Sequence, residues 1–284
     1  MIIRICGVPR FINRNTCEMV SCKLLHFFST TATTPINEGY KASAFRVAVI
    51  GAGPSGFYCA KYLLANEINQ KNAVHLDMFD ALPTPFGLVR FGIAPDHPEV
   101  KNVENDFRLT MSNERFRFFG NVKLGTDITV QNLLDHYHAV VLATGAAGER
   151  KLGIDGENLI GVHSARDFVH WYNGHPDFFN NNFDLKHETA VIIGNGNVAM
   201  DVARILLKPP AELAPTDIAV PALAALRESM VRRVLIVARR GPAQAAFSRK
   251  EFKELAKLHG VKVRVDQVIK FENGDADSSF LVLG

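Results

Sequence analysis

The sequence predicts an α/β fold made of two Rossmann-like β–α–β units in series. Three observations carry this. Residues 49–56 read VIGAGPSG and residues 191–201 read VIIGNGNVAMD; each is an apolar run, then glycines two apart, then a helical pattern. Apolar strand-like runs alternate with helix-periodic stretches, as in parallel sheets covered by helices. The chain has 284 residues, 47% hydrophobic and 21% charged, which suffices for two modest cores.

The elements follow in order. Residues 45–53, FRVAVIGAG, read as a buried strand ending in glycine. Residues 56–66 place Phe57, Ala60, Leu63 and Leu64 at helical spacing. VHLDMFDA (74–81) alternates like a strand and ends in an acid, completing one unit with parallel strands. Residues 84–100 are crowded with Pro and Gly and read as an irregular loop. Helical spacing returns over 99–113, and 122–129 and 138–146 are strand-like. The pattern then restarts. TAVIIGNG (189–196) is a strand, 197–207 a helix, and 232–241 a strand ending in paired arginines. In 248–260, Ser248 is an N-cap, Glu251 completes a capping box and Gly260 is a stop. VKVRVDQV (261–268) alternates with period two, and 272–284 is polar, then an apolar stub unlike a finished domain end. The expected domains are 44–147 and 148–284.

Residues 1–43 differ. Arg4, Arg10, Arg14, Lys23 and Lys41 face only Glu18 and Glu38, FSTTATT is rich in Ser and Thr, and arginines interrupt any apolar stretch. This is the pattern of a mitochondrial presequence. The net charge of +3 is mild, and the short RR pairs make no nucleic-acid stripe. No apolar run nears the ~20 residues of a membrane helix. Cys6, Cys17 and Cys22 lack partners for a metal site, and Cys59 reads as a small buried hydrophobe.

The two turns differ in their chemistry. In the first, Gly51 permits the tight turn, Gly53 lets the backbone approach a pyrophosphate, and Gly56 lets helix pack against strand. Asp80, at the end of the next strand, would accept hydrogen bonds from ribose hydroxyls. In the second, Gly194 and Gly196 are followed by Ala199, and Arg239 and Arg240 stand where the acid would be. Guanidinium groups bind a 2′-phosphate that a carboxylate would repel. The first site therefore reads as FAD and the second as NADP(H). A disulfide acceptor needs a cysteine pair that the folded region lacks.

At greater length the chain resembles the mitochondrial adrenodoxin reductase (ferredoxin–NADP⁺ reductase) family. GAGPSGFYCAKYLL, PFGLVRFGIAPDHPEVKNV, VVLATGA, SARDFVHWYNGHP, GNGNVAMDVARILL, DIAVPALAALRESMV and VARRGPAQAAFSRKEFKEL carry the resemblance, across 45–268. It implies an FAD domain and an NADP domain, and electrons passed from NADPH through FAD to a [2Fe–2S] ferredoxin in the mitochondrial matrix or at the matrix face of the inner membrane. That ferredoxin serves P450 systems or Fe–S cluster assembly. It places FAD contacts on Ser55, Asp80, Leu88 and Leu124. NADP contacts fall on Asn195, Gly196, Asn197, Val198, Arg239, Arg240 and Glu251. The resemblance also puts His97 and Asp201 near the flavin ring and assigns Lys253 to an acidic ferredoxin. The family has Glu at Asp80 and another residue at Ser55, and it adds a returning C-terminal part to the FAD domain. A nucleotide-binding fragment without turnover is the alternative. The small subunit of glutamate synthase shares the layout, but it expects a cysteine-rich N-terminal segment.

Overall fold

A computed structural model describes residues 2–4, 45–65, 74–146, 148–149, 151–238, 245–270 and 277–283. They divide into two compact units: a first within Asn13–Arg90 and Glu99–Ala147, and a second of Met1–Ile12, Phe91–Pro98 and Gly148–Gly284. Phe91–Pro98, read above as part of the first domain's loop, packs in the second unit. Numbered along the chain, the strands are β1 (Ile2–Arg4), β2 (Phe45–Ile50), β3 (Val74–Phe79), β4 (Phe116–Phe119), β5 (Ala139–Leu142), β6 (Val162–Ser164), β7 (Thr189–Ile193), β8 (Arg233–Ala238), β9 (Val263–Lys270) and β10 (Asp277–Leu283). The helices are α1 (Pro54–Ala65), α2 (Leu88–Phe91), α3 (Val103–Met111), α4 (Val130–His136), α5 (Ala165–Tyr172), α6 (Asn197–Leu207), α7 (Pro210–Leu213), α8 (Val220–Arg227) and α9 (Arg249–Ala256).

In the first unit the sheet order is β4-β3-β2-β5, all parallel. Residues Val47–Ile50 of β2 are all buried, because a central parallel strand is covered on both faces. On one face Phe57 of α1 stacks on Phe107 of α3 at 4.7 Å. On the other, Leu133 of α4 packs with Ala48, Ile50 and Phe79. Asp77, in mid-strand β3, is buried. Burial pushes its carboxyl up, but the Arg117 fork (2.7 and 2.6 Å) and the Tyr137 hydroxyl (2.6 Å) outweigh that and hold it below the usual range. Residues 122–129 are not the strand the sequence suggested. Gly125 turns the chain at φ +88°, Asp127 accepts from the Lys123 N–H at 2.8 Å, and a single bridge joins Leu124 to Ile128.

The second unit has a six-stranded sheet, β6-β1-β7-β8-β10-β9. β6, β1, β7 and β8 are parallel, and β10 runs antiparallel to both β8 and β9. The apolar stub of 277–283 is thus a sheet strand, satisfying the backbone groups of β8 and β9. Ile2–Arg4 also pairs in this sheet; the rest of the expected presequence lies outside the described residues. The core gathers Phe168, Trp171 and Tyr172 of α5, most of α6, Ile192, Val234, Ile236 and Leu255. Among the described residues no helix is long and apolar enough to cross a membrane.

Candidate functional site

The first unit carries its glycine turn at the C-terminal end of β2, where strand order reverses and a doubly wound sheet leaves a crevice. Gly51 sits at φ +105°, and a Cβ there would lie 2.3 Å from the Ala143 carbonyl oxygen. A Cβ on Gly56 would lie 2.0 Å from the Gly51 carbonyl oxygen. Gly53 differs, since a Cβ there meets nothing within 4 Å. Gly51 and Gly56 shape the turn, while Gly53 borders open space. A pyrophosphate cradle needs this division. Ser55 is exposed, and no acidic residue in the first turn of α1 opposes its positive end.

Asp80 has two backbone partners. One oxygen accepts from the Ala52 N–H at 2.6 Å and the other from the Leu82 N–H at 2.8 Å. The carboxylate braces the turn as well as facing the strand end, and each oxygen has a second lone pair for a ribose hydroxyl. The Phe86 N–H donates to the Ala52 carbonyl at 2.7 Å, so the Pro- and Gly-rich loop is laid against the turn. Phe86 is buried at φ +91°, a costly conformation for a bulky residue. Phe57 packs on its ring at 5.2 Å, and the Arg90 and Arg108 guanidinium groups lie 5.5 and 5.3 Å from its centre. Leu88, on α2, is half exposed, and Leu124 packs at the edge of the small core under α4.

In the second unit Gly194 has φ +123° and donates to the Val237 carbonyl at 2.7 Å. Gly196, after Asn195, caps α6, and a Cβ on it meets nothing within 4 Å. Ala199 is fully buried and Val198 packs against the core. Asn197 Oδ1 accepts from the Ser248 N–H at 2.7 Å. This alters the cap expected on α9. The Ser248 hydroxyl accepts from the Glu251 N–H, but Asn197 has taken the donor that Glu251 would return to, and the Glu251 carboxylate turns to Arg204. Lys253 is exposed. Arg239 and Arg240 lie outside the described residues.

Arg204, on the buried stripe of α6 and 2% exposed, gathers three carboxylates. It donates to Asp96 at 2.7 and 3.1 Å, to Asp201 at 2.8 Å and to Glu251 at 3.3 Å. Lys208 donates to Asp96 at 2.9 Å. Burial pushes Asp96 up, but Arg204 and Lys208 outweigh it and hold the carboxyl at about 2. Burial also pushes Asp201 and Glu251 up, and there it wins. His97 Nδ1 faces Arg204 Nη2 at 3.5 Å, and Nε2 lies 2.8 Å from Glu254. The two ring nitrogens thus face a guanidinium on one side and a carboxylate on the other. The sequence reading named His97 and Asp201 for the flavin and Glu251 for NADP, and the structure gathers all three around Arg204. That reading missed Asp96, Arg204 and Glu254. One signal was present: Arg204 is a lone charge inside the apolar run of VARILL, three residues after Asp201.

The family model for pyridine nucleotide-disulphide oxidoreductases matches residues 45–284. The mitochondrial NADPH:adrenodoxin oxidoreductase of Arabidopsis thaliana is 50% identical over 243 residues, covering 85% of this chain and 47% of the relative. That of Homo sapiens is 50% identical over 243 residues, covering 86% and 46%. Among solved structures, Mycobacterium tuberculosis FprA in complex with NADPH superposes with a TM-score of 0.74 at 49% identity, covering 77% of this chain and 48% of that one. The chain spans about half the length of the curated relatives it matches.

Proposed function

Because the chain belongs to the pyridine nucleotide-disulphide oxidoreductase family, we propose that it binds FAD in its first unit and NADP(H) in its second, and serves NADPH-dependent electron transfer to a [2Fe–2S] ferredoxin. One observation carries this. Each unit has a glycine turn at a parallel strand end, with open space over the second glycine. Gly51, Gly53, Ser55 and Gly56 would hold the FAD pyrophosphate, with Asp80 on the ribose. Gly194 to Val198 would hold that of NADP(H), with Arg239 and Arg240 on the 2′-phosphate. FAD, when bound, takes up a hydride and gives electrons singly. His97, with Nε2 2.8 Å from Glu254, and Asp201, under Arg204, are the proton-holding groups of this reading. Lys253 and neighbouring basic residues face the acidic ferredoxin. Residues 1–43 direct the chain to mitochondria, where the ferredoxin feeds P450 systems or Fe–S assembly. The relatives named NADPH:adrenodoxin oxidoreductase and NADPH-ferredoxin reductase FprA support the acceptor class.

The test measures bound flavin per chain after gel filtration, alongside NADPH-driven reduction of cytochrome c through a [2Fe–2S] ferredoxin. Flavin with ferredoxin-dependent turnover bears the reading out. Nucleotide binding without turnover selects the alternative, a nucleotide-binding fragment.

A further inference from the structure

We propose that Phe86 is a positioning residue of the first unit. Its buried ring holds its own backbone at φ +91°, and the N–H so placed fixes the Ala52–Gly53 peptide with the Gly53 N–H turned away from the loop, toward a phosphate oxygen. The inference deepens the FAD reading and rests on it only for the identity of the ligand.

Two successive peptides of the glycine turn are held from two sides. The Ala52 N–H, on the Gly51–Ala52 peptide, donates to Asp80 at 2.6 Å. The Ala52 carbonyl, on the next peptide, accepts from the Phe86 N–H at 2.7 Å. In a planar trans peptide the C=O and the N–H point in opposite directions. With the Ala52 C=O on Phe86, the Gly53 N–H points away from the loop, and among the described residues it has no acceptor. It belongs to the residue on which a Cβ would meet nothing within 4 Å. An N–H beside open space suits an anion. The same peptide turned over would present a carbonyl oxygen instead. Gly87, at φ +48°, backs the turn: a Cβ on it would lie 3.0 Å from the Gly53 Cα.

That bond depends on the strain at Phe86. The residue is 1% exposed. Its ring packs on Phe57 and Phe107 at 5.2 and 6.0 Å, and the Arg90 and Arg108 guanidinium groups flank it at 5.5 and 5.3 Å from its centre. The Phe86 carbonyl accepts from the Val89 N–H at 3.0 Å, and the Pro85 carbonyl accepts from Arg90 Nε at 3.2 Å. The φ rotation of Phe86 joins its N–H to its ring and carbonyl. A negative φ that kept the ring in place would swing the N–H off Ala52, and one that kept the N–H would expel the ring. Glycine takes a positive φ without steric cost, yet here the glycine is the next residue and a phenylalanine bears the strain. Its surroundings hold it there from both ends, as strained residues at ligand sites are held.

The experiment separates backbone from ring. FAD affinity of the full chain is measured by fluorescence titration for the parent, Phe86→Ala and Phe86→Gly. Both substitutions remove the ring, but only glycine accepts φ +91° without strain. The expected result is that Phe86→Ala weakens FAD about tenfold or more, while Phe86→Gly binds it about five- to tenfold more tightly than Phe86→Ala does. Packing alone predicts that alanine, which keeps a methyl in the core, does at least as well as glycine. Equal affinities of the two variants, or that reversed order, overturn the proposal. The second arm is amide hydrogen exchange at position 86 without nucleotide. Protection in the parent and in Phe86→Gly that is lost in Phe86→Ala supports it, and equal exchange in the parent and Phe86→Ala overturns it. Should Phe86→Ala fail to fold, the parent decides: an amide at 86 as slow as those of β2 supports the proposal, and one as fast as a free peptide overturns it. A parent that binds no FAD would sink the coenzyme reading and leave the exchange result standing. FAD binding with equal variants would sink this proposal and leave that reading.

Discussion

At the scale of single residues, the two kinds of glycine make opposite predictions. A methyl at Gly51 would stand 2.3 Å from a carbonyl oxygen at φ +105°, whereas a methyl at Gly53 meets nothing. Gly51→Ala should therefore destabilise the first unit by about 2–4 kcal/mol, from strain and forced displacement. Gly53→Ala should melt with the parent but bind FAD more weakly. Thermal melts read beside flavin retention separate the two, and equal melting of both variants would contradict the geometry. His170 makes a pH prediction. It is buried, its Nδ1 has no partner, and burial first, then His175, lowers it to about 3. The folded state thus favours the neutral ring. This contribution is full above the unfolded value near 6.5 and is lost as pH falls toward 3, a change of order ~4 kcal/mol. Melting temperature should drop across that window, and His170→Phe should flatten the drop. An unchanged slope would show that other groups carry it.

At the scale of elements, Asn197 joins the start of α6 to the N-cap of α9 through one 2.7 Å bond. Asn197→Ala leaves the Ser248 N–H unmatched and should cost about 1 kcal/mol. It should also loosen α9, which carries Glu251, and so weaken NADPH binding in a calorimetric titration. Unaltered affinity would confine Asn197 to local structure. Much of this level was legible in the sequence. The runs at 45–50 and 189–193 read as strands because central parallel strands are apolar throughout, and Gly51 and Gly194 marked the turns. The rest depended on partners distant in sequence. Asp80 could be placed at a strand end, but not its grip on the Ala52 N–H. Glu251 matched a capping box, a local rule that lost to a guanidinium 47 residues away. The apolar stub at 277–283 became a strand only because β8 and β9 left a place between them. Residues 122–129 carry β-type residues, yet Gly125 and Asp127 turn the chain first.

At the scale of the whole molecule, two nucleotide sites of opposite ribose chemistry are the central claim. If Arg239 and Arg240 hold the 2′-phosphate, replacing both with Ala should weaken NADPH by roughly ten- to a hundredfold, with NADH little changed. Equal loss for both coenzymes would remove the pair from that role. The most direct measurement is equilibrium dialysis of the full chain against saturating FAD and NADP⁺, separately and together. The account predicts one FAD and one NADP⁺ per chain, neither displacing the other, with Gly53→Ala lowering only FAD. Mutual displacement, or a single nucleotide bound from the mixture, would contradict it.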